Sequence, residues 1–105
     1  MEKVKITVLK RTVNEDIVNQ VIGEEHRDMD RFVCDRFEDG QEFVVDVLFD
    51  PPEGFCPWAW SDILKMIMHI GGGGSLQPPY SQEGTIVGCC TDGLRPVIFK
   101  IERIA

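Results

Sequence analysis

The sequence predicts a small α+β domain in which one main helix covers a curved, mostly antiparallel sheet or half-open barrel. Three observations carry this prediction: stretches that alternate apolar and polar residues, an amphipathic segment over residues 57–70, and a hairpin pattern that begins at Cys89. The 105 residues are enough for one hydrophobic core. We therefore expect a single domain, 1–105, with the element order β-α-β-α-β-β.

The first strand and the first helix are predicted within the opening residues. Residues 3–9 place apolar side chains on one side and polar side chains on the other, which is typical of a strand with one solvated face. Asn14 is a residue type that caps helix N-termini, and acidic residues follow it. Gly23 then ends a short helix.

A second strand is predicted after a long charged segment. Residues 24–39 are mostly charged, and Asp39-Gly40 is a turn signal. Phe43, Val45 and Val47 then alternate with the residues between them, which predicts a strand.

The second helix has the clearest pattern in the chain. Pro57 suits the first turn of a helix, and Gly71–Gly74 end it. Apolar residues recur along one face, at Trp60, Ile63, Leu64, Ile67 and Ile70.

The last two strands are predicted to form a hairpin. One strand covers about residues 85–90, Asp92-Gly93 forms the turn, and the second strand runs from Pro96 to Ile104. Two strands joined by so short a connection must be antiparallel.

The charge distribution argues against nucleic-acid binding. The net charge is −7, and residues 14–53 hold 13 of the 18 acidic residues against three arginines. An acidic surface repels phosphate backbones, so we expect no nucleic-acid partner; it would attract a cationic partner or a divalent ion, or simply keep the protein soluble. We find neither an apolar run of membrane-spanning length nor a signal-peptide pattern, which predicts a cytoplasmic protein without membrane contact.

The four cysteines are expected to be reduced thiols. Their spacing contains no Cys-x-x-Cys pair, and the adjacent Cys89 and Cys90 are too close for a relaxed disulfide. Successive strand residues face opposite sides, so one of these two should lie in the core while the other approaches Cys34 and Cys56. Thiolates of Cys34, Cys56 and Cys90 would bind a zinc-type ion with an open fourth position, or with Asp92 or a histidine. Plain packing is the alternative, because free cysteine behaves as a small apolar residue.

Cys56 is the strongest candidate for a reactive thiol. It directly precedes the helix that begins at Pro57, whose N-terminal amides would stabilise a thiolate. In a thiol-dependent enzyme, Cys56 would be the nucleophile, Asp92 the acid or base, and Arg95 the group that holds an anion.

Aromatic residues predict a pocket beside the same helix. Trp58 lies two positions before Trp60 and therefore faces another direction. We expect Trp58 to be half exposed and to line a pocket with Tyr80 and Phe55, or to form the contact of a homo-oligomer.

Three stretches resemble a small uncharacterised prokaryotic family of similar length. They are Gly40-x-x-Phe43 after Cys34, the run PEGFCPWAW from Pro52, and the run CCTDGLRPVIFKIE from Cys89. The resemblance implies conserved cysteine positions that match Cys34, Cys56 and Cys90. Some relatives carry Cys-Pro-x-Gly-His at the first position, whereas this chain has Cys-Asp-Arg-Phe there and lacks the histidine. The resemblance implies positions and no activity.

These features predict two classes of function. The first is a small cytosolic module that binds a ligand, a metal or a protein, with its site between the start of the second helix and the final turn, where functional side chains collect at element ends. The alternative is a thiol-dependent enzyme that uses Cys56. A third interpretation is a structural subunit that is stable only with its partner.

Overall fold

The structure, a computed structural model, describes residues 3–46 and 50–104. Two short 3-10 helices, Glu24–His26 and Met29–Phe32, lie in the charged segment. The other elements follow the predicted order β-α-β-α-β-β: β1 (Val4–Arg11), α1 (Glu15–Val21), β2 (Glu42–Val45), α2 (Pro57–Gly71), β3 (Thr85–Cys89) and β4 (Val97–Arg103).

The four strands form one antiparallel sheet with the order β2-β1-β4-β3. β1 and β4 form the central pair, and β3 and β4 form the predicted hairpin. The sheet is open, so the prediction of a mostly antiparallel sheet is confirmed in its open form and not as a barrel. The register of β1 against β4 shifts between Val8 and Lys10, which marks a bulge near the end of β1.

One face of the sheet is buried beneath α2. Alternate side chains of β1 are fully buried, as the sequence pattern predicts. α2 contributes the expected apolar stripe, in which Trp60, Ile63, Ile67 and Ile70 are buried and Leu64 is partly buried. The helix lies so close to β3 that a Cβ atom at Gly88 would meet the Met66 sulfur, so glycine at this position permits the contact.

Asn14 occupies the N-cap position of α1, but its side chain makes no capping bond. Its Nδ2 instead donates to the Gly93 carbonyl at 2.8 Å, which ties α1 to the β3–β4 turn. β2 ends at Val45, and the predicted strand residue Val47 lies outside the described residues.

No helix in the described part of the chain is long and apolar enough to cross a membrane.

Candidate functional site

A cavity of about 420 Å³ opens at the N-terminal end of α2. Its volume falls within the range of small-molecule sites. Three segments that are remote in sequence meet there: residues 34–36, residues 56–59 and the β3–β4 turn. The lining side chains are Cys34, Asp35, Arg36, Cys56, Pro57, Trp58, Ala59, Cys90, Asp92 and Arg95.

Most of the residues singled out from the sequence lie on this wall. They are Cys34, Cys56, Trp58, Cys90, Asp92 and Arg95. Tyr80 lies elsewhere, because its hydroxyl accepts a hydrogen bond at 3.0 Å from the Val87 amide on the outer side of β3. Phe55 lies in the core with 5% of its surface exposed. The predicted pocket therefore contains Trp58 without Tyr80 or Phe55.

Cys56 is held at the start of α2 by the residue that precedes it. The Phe55 ring packs against Phe37, Phe43 and Phe99, with centroid distances of 5.1, 4.9 and 5.7 Å. Cys56 is the N-cap residue, and its carbonyl accepts the first helical hydrogen bond. Its side chain makes no capping hydrogen bond and is partly exposed. The thiol thus lies beside first-turn helix amides that no side chain of the described residues caps.

The two adjacent cysteines differ from each other, though not in the predicted way. Cys90 is 9% exposed, belongs to the core cluster and also lines the cavity. Its sulfur accepts a hydrogen bond from the Val97 amide at 3.3 Å, which helps to close the hairpin. Cys89 is exposed. Cys90 therefore contributes to both the core and the cavity wall, whereas Cys89 contributes to neither.

Cys34 is positioned by Arg11, which no sequence pattern marks as a functional residue. Arg11 Nη1 donates to the Cys34 carbonyl at 3.0 Å, and Arg11 Nε donates to Asp39 Oδ1 at 3.1 Å. The Arg11 backbone amide also donates to Asp39 Oδ1 at 3.1 Å. The end of β1 therefore fixes the irregular segment that carries Cys34. A basic residue at a strand end is the only sequence signal, and it does not identify the partner.

Asp92 and Arg95 form an ion pair within the turn. Asp92 Oδ1 accepts bonds from the Leu94 and Arg95 amides at 3.0 and 3.2 Å, and Oδ2 accepts one from Arg95 Nε at 3.1 Å. Burial alone would raise the pKa of Asp92, but these bonds and the Arg95 charge together lower it. The hydrogen bond to Asp92 is the main cause that raises the pKa of Arg95, against burial, and electrostatic attraction to Asp92 also contributes. The pair is ionised at neutral pH, with Cys34 near the guanidinium.

Trp58 is held at the mouth of the cavity by two residues outside its wall. Trp58 Nε1 donates to Thr91 Oγ1 at 2.7 Å. Thr91 in turn donates through its amide to Asp62 Oδ2 at 2.7 Å and through its hydroxyl at 3.1 Å. Thr91 and Asp62 were not singled out from the sequence, because a threonine in a turn and an aspartate on a helix are ordinary surface residues.

The described residues give no support to a metal centre at the cavity thiols. Within residues 3–46 and 50–104, no group of three or more His, Cys, Asp or Glu side chains is arranged to hold an ion. The side chain of Asp92, one suggested fourth ligand, is bonded to Arg95, and His69, another, lies in the last turn of α2. The metal site predicted at Cys34, Cys56 and Cys90 therefore has no support in the described residues, although all three line the same cavity.

No protein-family model matches the chain, and no curated protein or solved structure is significantly similar to it. The resemblance to a small prokaryotic family therefore stays a prediction.

Proposed function

We propose that the protein is a small-ligand-binding module whose ligand occupies the cavity at the N-terminal end of α2. The observation that carries the proposal is the meeting of three remote segments on one cavity of about 420 Å³. Cys34 and Cys56 support it, since both remain partly exposed on the wall, whereas a purely packing role would bury them.

The lining supports a ligand that combines an apolar part with a polar or anionic group. Pro57, Trp58 and Ala59 offer apolar surface, and the amides of the first helical turn lie beside them. Arg95 Nε is paired with Asp92, while Arg36 has no ion-pair partner among the described residues. Arg36 is therefore the cation best placed to meet a ligand anion.

Protection of the thiols tests this proposal. Iodoacetamide labelling is measured residue by residue by mass spectrometry in the presence of small carboxylates, phosphates, amines and neutral amides. Cys89 is an internal control, because it is exposed and lies outside the cavity wall. We expect at least one probe class to slow the labelling of Cys34 and Cys56 several-fold without affecting Cys89. If no probe distinguishes Cys56 from Cys89, the proposal is wrong.

A pair of matched variants sharpens the charge argument. Arg36→Gln removes the cavity cation, whereas Arg31→Gln removes an exposed arginine outside the wall. We expect only the first variant to weaken protection by anionic probes. Equal effects of the two variants would indicate that general charge, and not Arg36, attracts the probes.

A thiol-dependent enzyme is the second candidate, and the position of Cys56 favours it. The thiol is partly exposed, lies next to the first turn of a 15-residue helix and makes no capping bond. Arg95 would hold an anionic substrate group, and the lowered pKa of Asp92 suits a carboxylate that orients Arg95 better than a proton donor. Faster alkylation of Cys56 than of the more exposed Cys89 is the expected result. A slower reaction at Cys56 would count against this candidate.

A cytoplasmic location belongs to the same proposal. All four cysteines are free thiols, which is the state that a reducing compartment maintains.

A further inference from the structure

We propose that Thr91 and Asp62 are positioning residues for ligand binding, which hold the indole of Trp58 as a fixed outer wall of the cavity. This inference rests on the proposed ligand-binding role, since Trp58 is the lining residue on which they act. Neither Thr91 nor Asp62 lines the larger cavity itself.

The hydrogen bonds form a directed chain that ends on a charge. The indole N–H donates to the Thr91 hydroxyl, and that hydroxyl donates to the Asp62 carboxylate. A second bond of 2.7 Å, from the Thr91 amide to Asp62 Oδ2, fixes the carboxylate relative to the turn. Hydrogen bonds that end on an ionised acceptor are stronger than neutral ones, and bonds in series reinforce one another.

Trp58 depends on this chain because packing does not hold it. Its surface is 64% exposed, whereas Trp60 on the same helix is 8% exposed and packed in the core. An exposed indole without a partner would sample several rotamers, and ordering it on binding would reduce affinity. The bond to Thr91 orders it before the ligand arrives.

The shape of the surface is consistent with this role. A smaller recess of about 290 Å³ is lined by Trp58, Ser61, Asp62 and Thr91. Trp58 is the one residue that lines both this recess and the larger cavity in the described part of the chain. The indole therefore forms a partition between the two, and Thr91 and Asp62 support it from the smaller side.

Two substitutions at one position test the proposal. Thr91→Val keeps the shape of the side chain and removes the hydroxyl, and Thr91→Ser keeps the hydroxyl. The first readout is solvent exchange of the Trp58 indole N–H by NMR, with the signal assigned by its loss in Trp58→Phe. We expect several-fold faster exchange in Thr91→Val and nearly wild-type exchange in Thr91→Ser. Equal exchange in the two variants would overturn the proposal.

The second readout concerns the cavity and separates this inference from the function proposed above. In Thr91→Val, the protection of Cys56 against labelling by an effective probe should fall several-fold. In Thr91→Ser, this protection should be close to that of the wild type. Retained protection in Thr91→Val, despite faster indole exchange, would show that the order of Trp58 does not matter for binding and would overturn the positioning role. Indole exchange can be measured without a ligand. If no probe protects the thiols, the ligand-binding function is contradicted, and the exchange rates still show whether Thr91 orders the Trp58 indole. Asp62→Ala should repeat the exchange result, because it removes the acceptor at the end of the chain.

Discussion

The two ends of α2 differ in how their backbone polar groups are satisfied. At the C-terminal end, Arg103 Nη1 donates to the Ile70 carbonyl at 2.7 Å and to the Gly74 carbonyl at 2.9 Å. At the N-terminal end, the Cys56 side chain makes no capping hydrogen bond, and Pro57 has no amide hydrogen to donate. One end is closed by a residue from the sheet, and the other opens on the cavity.

The two ends therefore differ in their capacity to bind a ligand. Three carbonyls of the last turn are bonded to amides that follow it, since Gly72, Gly73 and Gly74 donate to Met68, Ile70 and His69. Among the described residues, the amides of the first turn have no side-chain partner, and they lie next to partly exposed thiols. A substitution that caps the N-terminal end should therefore change the cavity. A substitution that removes hydrogen bonds at the C-terminal end should change only the free energy of unfolding.

The largest expected effect is on the closed end. Arg103→Met keeps the aliphatic stem and removes both hydrogen bonds, which leaves two carbonyls without their charged donor. We expect a loss of about 2 kcal/mol in the free energy of unfolding, measured by urea denaturation. Arg103→Lys is the control, because it keeps the charge near the helix C-terminus and should lose less. Labelling of Cys56 relative to Cys89 should be unchanged in the folded protein. A changed ratio would show that the two ends are coupled.

A smaller effect is expected at the open end, with the opposite sign. A serine hydroxyl at position 56 could accept a bond from a first-turn amide, which the cysteine side chain does not. We expect Cys56→Ser to be more stable than Cys56→Ala by about 1 kcal/mol, as measured by thermal or urea unfolding. Both variants should lose any function that needs the thiol. Identical stability of the two would indicate that the first-turn amides are already satisfied.

The smallest effect is expected from Asp92 in the turn that faces the open end. Its pKa is lower in the folded protein than its ordinary value of 3.8, so its ionised form stabilises the fold above that value. This contribution is lost as the pH falls through the folded pKa, below 3.8. Because the side chain is 34% exposed and screened by solvent, we expect Asp92→Asn to cost only about 0.5 kcal/mol at neutral pH. Urea denaturation across the acidic range should show the two proteins converge. A constant difference would mean that charge is not the cause.

The sequence predicts regular elements well where one periodicity dominates. The stripe of α2 repeats over four turns, so its bounds of 57–70 agree with Pro57–Gly71. The final hairpin is predicted by its alternating strand, although β3 and β4 are joined by an irregular connection, residues 90–96, and not by a tight turn at Asp92-Gly93. The proximity of Cys56 to Asp92 follows from this topology, because α2 packs on β3 and begins beside the end of that strand.

The supports of the cavity were not predictable in the same way. Arg11 reaches Cys34 across 23 positions, and Trp58 reaches Thr91 across 33. Such contacts depend on side-chain rotamers and on the path of irregular segments, for which no periodicity exists. Tyr80 was misplaced for the same reason, since the loop after α2 carries it along β3 and away from Trp58.

The position of Tyr80 has a consequence for self-association. An edge strand offers free amides to which a strand of another molecule can add, and this is a common route to aggregation. On β3, the Val87 amide already donates to the Tyr80 hydroxyl, so an incoming strand would have to displace this ring before it could pair there. The loop after α2 thus hinders the addition of another strand at the β3 edge of the sheet.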